Sequence, residues 1–278
     1  MKLATVRTEG GFRTVRVEPD GQVDIGPGDV GELLTRADWR TVAAAATGDL
    51  LPIEPARLAP VVPRPGKIVC VGLNYRTHIT EMGRDLPEFP TLFAKFPEAL
   101  IGPNDPLTLP PESDAVDWEA ELVVVVGRRV RRADRATAAA AIAGYTILND
   151  VTLRDWQFRT REWLQGKTWE DTTPLGPCLV TPDELAPDAE ISCTLDDEVV
   201  QKSTIGDLLF DPADLIAYVS TIVTLNPGDL IATGTTGGVG HARKPPRYLR
   251  DGQRLVTRIE GIGELVTPVR RAAPDTAS

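Results

Sequence analysis

No run of apolar residues in this 278-residue chain approaches the roughly 18 needed to cross a membrane, so no helical span is expected. The opening MKLATVRTEGGF turns polar by its eighth residue and has no apolar h-region, so no secretory signal is expected either. Cysteine is scarce. Cys70, Cys178 and Cys193 lie far apart without a CxxC pair, which argues against a disulfide framework and for reduced, small core residues in a cytoplasmic protein. There are two histidines, His78 and His241. There is no GxSxG elbow and no Walker motif, so serine-hydrolase and P-loop chemistry have no support. Excess positive charge is also missing: the formal net charge is −10, which gives the chain no electrostatic reason to bind nucleic acid or an anionic membrane.

What remains is an ordinary globular composition, 42% hydrophobic and 25% charged, long enough for one large domain or one large and one small. Residues 2–7 and 12–17 read as two strands around the Gly10-Gly11 turn, and Asp38 stands where it would cap a helix from Trp39 to Ala46. The proline-rich stretch LPIEPARLAPVVPRPGK then excludes helix and central strand and reads as an extended connector. Beyond it, strand-like runs dominate: 67–72, 92–96, 116–126, 141–150, 178–180, 191–196, 198–203, 230–234, 254–260 and 264–269. Helical patterning is confined to 76–83, 134–140, 152–164 and 212–223, the last opening with proline after Asp211. Many strands with few helices predict a β-rich barrel or rolled sandwich. The stretch GTTGGVG at 234–240 follows a strand with no helix behind it, and reads as a tight turn rather than a phosphate cradle.

The segment DWEAELVVVV at 117–126 sets acids against apolar residues by alternation and then becomes continuously apolar. Residues two apart on a strand share a face, so Glu119 and Glu121 point the same way. Alone, this reads as a solvated acidic edge rather than a site. Two features favour a site: the four valines demand cover on both faces, and the apolar run AIAGYTILND also ends on an acid, Asp150. Three carboxylates gathered in a partly buried place repel by roughly 4 kcal/mol per pair at 4 Å and an effective dielectric of 20. Protonation or a hard cation relieves that repulsion, and an all-carboxylate set suits Mg2+ or Mn2+ better than zinc.

In NYRTHITEMG, His78 and Glu81 are three apart, so one helical turn puts them on one face, where the acid orients the imidazole as a base for water; a surface ion pair has the same signature. Lys95, Arg154, Gln157 and Lys167 stand in apolar or glycine contexts and read individually as snorkelling surface residues, although cations beside a metal make a good receiver for a carboxylate or enolate.

Taken in order, KIVCVGLNYRTHITEMG, PTLFAKFPEALIGP, VDWEAELVVVVG, IAGYTILNDVTLRDWQ, QGKTWEDTTPLGP, DLIAYVSTIVTLNPGDLIATGTTGGVG and ARKPPRYL…IEGIGEL resemble the fumarylacetoacetate hydrolase family, in its bacterial acylpyruvase and hydroxymuconate isomerase-like branch, over about 67–270. The resemblance implies a β-rich α+β fold, a mixed β-sandwich roll (63–278) behind a small N-terminal α/β domain (1–62), usually paired into a homodimer. It implies that Glu119, Glu121 and Asp150 are ligands of Mg2+ or Mn2+, and that His78 and Glu81 form a water-activating dyad on a lid. It implies that Lys167 stabilises an enolate, while Lys95, Arg154, Gln157 and Thr235 line the substrate site. Asp117 matches no ligand position and is left as a supporting or surface acid. The chain departs from the family's common GTPxGVG at Thr236 and from KSFD with KTWE, where the bulk of Trp169 is expected to narrow the pocket. The activity implied is hydrolysis of a carbon–carbon bond in an acylpyruvate-type 1,3-diketo acid. Oxaloacetate-type decarboxylation and hydroxymuconate-type isomerisation or tautomerisation, through the same enolate, are the alternatives.

Overall fold

The alternating and β-branched runs form strands, and the Gly10-Gly11 turn joins the first two, β1 (Lys2–Thr8) and β2 (Gly11–Glu18). The structure is a computed structural model that describes residues 1–272 except Met82 and Arg84, with the backbone alone of His78 and Glu81. After β3 (Gly21–Pro27) come α1 (Val30–Leu34) and α2 (Trp39–Ala45), and then the proline-rich connector, which holds one short 3-10 turn. The next elements are β4 (Ile68–Gly72), α3 (Arg76–Glu81), β5 (Thr91–Lys95), β6 (Leu100–Ile101), β7 (Leu107–Leu109), β8 (Val116–Asp117) and β9 (Ala120–Val126). They are followed by α4 (Arg135–Ala139), β10 (Ile142–Asn149), β11 (Thr152–Leu153), α5 (Arg154–Gln157), α6 (Leu164–Lys167) and β12 (Thr173–Val180). The chain ends with β13 (Glu190–Leu195), β14 (Glu198–Thr204), α7 (Pro212–Ile222), β15 (Leu230–Thr235), β16 (Arg254–Ile259) and β17 (Gly263–Arg271).

The fold is β-rich α+β with mixed sheets. The large sheet runs β3-β2-β1-β12-β10-β9-β15-β4-β5, with β6 added beside β12; a second sheet runs β14-β13-β16-β17-β7, and β8 pairs with β11. Parallel pairing of β15 with β4 interrupts an otherwise largely antiparallel large sheet. The N-terminal strands continue the large sheet, because β1 pairs antiparallel with β12.

An interior strand of this sheet, β9, lies between β10 and β15, and its residues are all buried. Its valines are covered on both faces, as a continuous apolar run requires. Val123 and Val125 pack into a cluster with Val30, Leu34 and Trp39 of α1 and α2, whereas Val124 and Val126 pack with Leu215, Ile216 and Val219 of α7. Fully burying a valine is worth about 1.5–3 kcal/mol. The first residues of β9 join a third cluster shared with the second sheet. The helix α7 starts as the sequence indicates: the Asp211 side chain accepts from the N–H groups of Ala213 and Asp214, and Pro212 occupies the first turn.

Three local expectations change. The run 116–126 is not one strand, because Trp118 and Glu119 fall between β8 and β9. The Asp117 side chain accepts the Trp118 N–H, and the Asn149 side chain accepts the Glu119 N–H, so side chains take up the donors that a continuous ladder would use. The helix expected over 152–164 is instead strand β11, the single turn α5 and a break at 158–163, with a second turn, α6, starting at Leu164. Asp38 makes no side-chain cap to α2 and instead pairs with Arg36. The three cysteines are free and buried.

Candidate metal and substrate site

The strand registers bring the acids together. Asn149 stands opposite Ala120 and Thr235 opposite Glu121, so the start of β9 and the ends of β10 and β15 meet at one place in the sheet. Asp150 follows β10 directly, and its N–H donates to the Glu119 carbonyl at 2.8 Å. Glu119, Glu121 and Asp150 are buried, and each offers a carboxylate oxygen within 4.8 Å of the others.

Three buried cations answer these acids. Lys167 Nζ donates to Glu119 Oε2 at 2.8 Å and to Asp150 Oδ2 at 2.7 Å. Lys95 Nζ donates to Asp150 Oδ1 at 2.7 Å and to the Val151 carbonyl at 3.3 Å. Arg154 pairs with Glu119 through Nη2 at 2.7 Å and with Asp117 through Nε at 2.8 Å, while its Nη1 donates to Gln157 Oε1 at 2.9 Å. None of these side chains snorkels; Lys95 and Lys167 are each 2% exposed.

The electrostatics differ between the three acids. Burial raises the affinity of Asp150 for its proton, but Lys167 and Lys95 outweigh it and hold the carboxyl below its ordinary range. The same two acids, Asp150 and Glu119, outweigh burial at Lys167 and hold its ammonium above the ordinary lysine value. Glu119 and Asp117 do likewise for Arg154. Glu121 is the exception. Burial, reinforced by Asp150 and Glu119, pushes its carboxyl well above the usual range. It accepts the Gly234 N–H at 2.9 Å, and among the described residues no basic side chain forms an ion pair with it. At 4.8 Å and an effective dielectric of 20 each neighbouring acid repels it by about 3 kcal/mol.

A buried set of hard oxygen donors in which one acid, Glu121, has no ion-pair partner among the described residues fits a divalent cation. Glu121 would gain the positive charge it lacks, and a hard cation prefers such oxygens. The nearby Cys70 thiol is no competitor, since burial and the charges of Asp150 and Glu121 push its pKa well above the ordinary value.

A cavity of about 390 Å³ opens onto this cluster. Glu119, Glu121, Arg154, Gln157, Lys167 and Thr235 line it, together with Phe93, Phe158, Trp163 and His241. Thr235 donates to the Ala120 carbonyl and accepts from Gln201, fixing its hydroxyl beside the acids. Lys95 is not in the cavity lining; both its hydrogen bonds go to the Asp150–Val151 segment. The helix α3 carries His78 and Glu81, but their side chains lie outside the described residues.

Asp117 is a central support rather than a surface acid. It is fully buried, pairs with Arg154, and accepts the N–H groups of Gly240 at 2.7 Å and His241 at 2.9 Å. The glycine-rich stretch is the turn that permits this approach. Gly234 has φ +99°, and a Cβ there would meet the Val71 carbonyl at 2.9 Å. A Cβ on Gly240 would meet the Arg247 carbonyl at 1.9 Å. Trp169 does not line the cavity: it stands edge-on to Trp156, with ring centroids 4.9 Å apart, and donates Nε1–H to the Gln165 carbonyl. The aromatic and histidine side of the cavity, Phe158, Trp163 and His241, has no periodic or motif signal in the sequence.

Residues 67–270 match the family model described as fumarylacetoacetate (FAA) hydrolase C-terminal. The chain is 44% identical over 236 residues to the mitochondrial oxaloacetate tautomerase Fahd2a of Rattus norvegicus, covering 82% of this chain and 75% of that protein. Among solved structures it is similar to the 5-carboxymethyl-2-hydroxymuconate delta-isomerase of Mycobacterium smegmatis, with a TM-score of 0.80 and 35% identity over 98% of this chain and 100% of that one. It is also similar to the fumarylacetoacetate hydrolase of Exiguobacterium antarcticum, with a TM-score of 0.85 and 32% identity over 98% of this chain and 100% of that one.

Proposed function

Because the chain belongs to the fumarylacetoacetate hydrolase family, we propose that it is a cation-dependent enzyme that enolises a small 2-oxo acid, and that its reaction is the keto–enol tautomerisation of oxaloacetate or a similar 2-oxo diacid. The observation that carries this reading is the cavity in which two acids of the buried triad, Lys167, Arg154 and Gln157 share one lining. Its similarity to an oxaloacetate tautomerase and to a hydroxymuconate isomerase supports tautomerisation over bond cleavage.

Glu119, Glu121 and Asp150 are the residues that would hold Mg2+ or Mn2+. Such a cation supplies a Lewis acid that polarises the 2-oxo group. The protein's own residues do the rest. Two of the three N–H donors of Lys167 go to Glu119 and Asp150, which leaves one for a substrate oxygen on which enolate charge develops. Arg154, held in place by Asp117, and Gln157 receive the substrate carboxylate, with Thr235 beside them. Lys95 fixes Asp150. His78 moves the proton: it takes one from C3 of the keto acid and a proton returns to the C2 oxygen, so no atom is gained or lost.

The notable competitor is hydrolysis of an acylpyruvate, favoured by the spacing of His78 and Glu81 on α3, which suits activation of a water. One set of assays separates the readings. Purified protein with Mg2+ is given enol-oxaloacetate and acetylpyruvate separately, and enol absorbance and pyruvate are followed. Tautomerisation predicts rapid relaxation of the enol signal with no pyruvate formed. Cleavage of acetylpyruvate without effect on oxaloacetate would replace the proposal with hydrolysis, and pyruvate released from oxaloacetate in step with enol loss would replace it with decarboxylation. The assembly that goes with this reading is a homodimer, which light scattering tests directly.

A further inference from the structure

The solvent side of the cavity carries a polar ring that the chemistry above leaves unused. His241 and Phe158 both line the cavity and are both exposed, so they stand at its mouth. Their ring centroids are 5.3 Å apart with planes tilted by 34°. His241 Nδ1 lies 3.0 Å from the Tyr248 hydroxyl. That leaves Nε2 as the nitrogen without a protein partner among the described residues. The backbone is held as well, because the His241 N–H donates to the same Asp117 carboxylate that pairs with Arg154. Ring and backbone are thus fixed from two sides, next to the ion pairs that line the interior of the cavity. Burial and the positive charge of Arg154 lower the pKa of the imidazole, so near neutral pH it is an uncharged ring with one N–H. When the Tyr248 hydroxyl donates to Nδ1, that N–H is on Nε2.

We propose that His241 is a specificity-determining residue, donating Nε2–H to a second carboxylate at the substrate end remote from the acid cluster, with Tyr248 positioning the ring. The inference rests on the reading that a 2-oxo acid lies against Glu119 and Lys167. It goes further in naming the residue that selects, among 2-oxo acids of equal length, those that end in a carboxylate over those that end in an alkyl group. Phe158 packs beside the ring and limits its motion, and neither residue is needed for enolisation itself.

The test uses a matched pair of ligands, 2-oxoglutarate and 2-oxopentanoate, which differ only in a terminal carboxylate against a methyl, with oxalate as a ligand that has no remote end. Binding to the Mg2+-loaded protein is measured by calorimetry for wild type, His241→Leu and Tyr248→Phe. A lost hydrogen bond to a charged group corresponds to about 10- to 100-fold in affinity. His241→Leu is expected to weaken 2-oxoglutarate by that factor and to leave 2-oxopentanoate and oxalate within about twofold. Tyr248→Phe gives a smaller loss in the same direction, and His241→Gln recovers part of it. In turnover of oxaloacetate, the effect of His241→Leu falls on KM rather than on kcat. Because the His241 side chain is exposed, these substitutions remove no core contact. Equal weakening of all three ligands, or of none, overturns the role of His241 while the 2-oxo acid reading stands. Failure of wild type to bind even oxalate overturns both.

Discussion

Glu121→Gln tests the electrostatic argument at its most exposed point. The side chain is buried, keeps its shape in the substitution, and its one described hydrogen bond, from the Gly234 N–H at 2.9 Å, survives with an amide oxygen. What disappears is a negative charge within 4.8 Å of two others. In metal-free protein the folded state either carries that charge or protonates it. Because the folded pKa lies above the unfolded one, the folded state binds the extra proton, and stability falls as pH rises from about 4.3 towards the folded value. The cost of protonation bounds the penalty. From an unfolded pKa of about 4.3, at 1.36 kcal/mol per unit, it is about 4 kcal/mol at pH 7 and near zero at pH 4.5. In EDTA, Glu121→Gln is therefore expected to be more stable than wild type at pH 7, by no more than that bound, with the difference vanishing near pH 4.5. For a chain of this length that is a rise in Tm of about 2–4 °C per kcal/mol. Adding Mg2+ reverses the order: wild type gains stability and the variant does not, since its cage has lost a charged ligand. Thermal unfolding at the two pH values, with and without Mg2+, reads all four conditions. If the variant is less stable than wild type in EDTA at pH 7, or binds Mg2+ as wild type does by calorimetry, the reasoning fails.

The same network makes other predictions. Lys95→Met removes half of the positive charge on Asp150 and is expected to cost about 3–5 kcal/mol in urea unfolding without metal, and less when Mg2+ is present. Asp117→Asn weakens the hold on Arg154 and on the turn at 240–241, so KM is expected to rise at least about tenfold with a smaller change in kcat, measured by steady-state kinetics. Gly234→Ala forces a Cβ against the Val71 carbonyl and moves the N–H that orients Glu121, so Mg2+ affinity is expected to fall roughly 10- to 100-fold by calorimetry.

Much of the frame was legible because it follows from burial patterns. Four consecutive valines demand two covered faces, and α1, α2 and α7 provide them. The convergence of Glu119 with Glu121 was also legible, although for an incomplete reason. Alternation along a strand placed them together, yet Glu119 lies in a break whose N–H is satisfied by the Asn149 side chain from another strand. No local pattern encodes that contact. Lys95 in LFAKF and Lys167 in LQGKTW look like any surface lysine, because the acid that makes their burial tolerable, Asp150, is distant in sequence. The stretch 152–164 has helical composition, but its middle opens out to place Phe158 and Trp163 on the cavity. His241 follows a glycine turn with no periodicity, so only the fold reveals where its ring stands.

Asp117 grips residue 241 by its backbone N–H and leaves the side chain there uninvolved in the grip. That backbone grip is therefore available to any amino acid at the position except proline, whereas the ring itself is met by Tyr248 and Phe158. Hard chemistry and substrate choice are separated within one short segment. The glycines before 241 are committed to geometry, whereas the side chain at 241 takes no part in holding that frame. On the proposal that His241 selects the remote carboxylate, a change at this one side chain is expected to alter substrate preference while the Arg154–Asp117 pair beneath it stays in place.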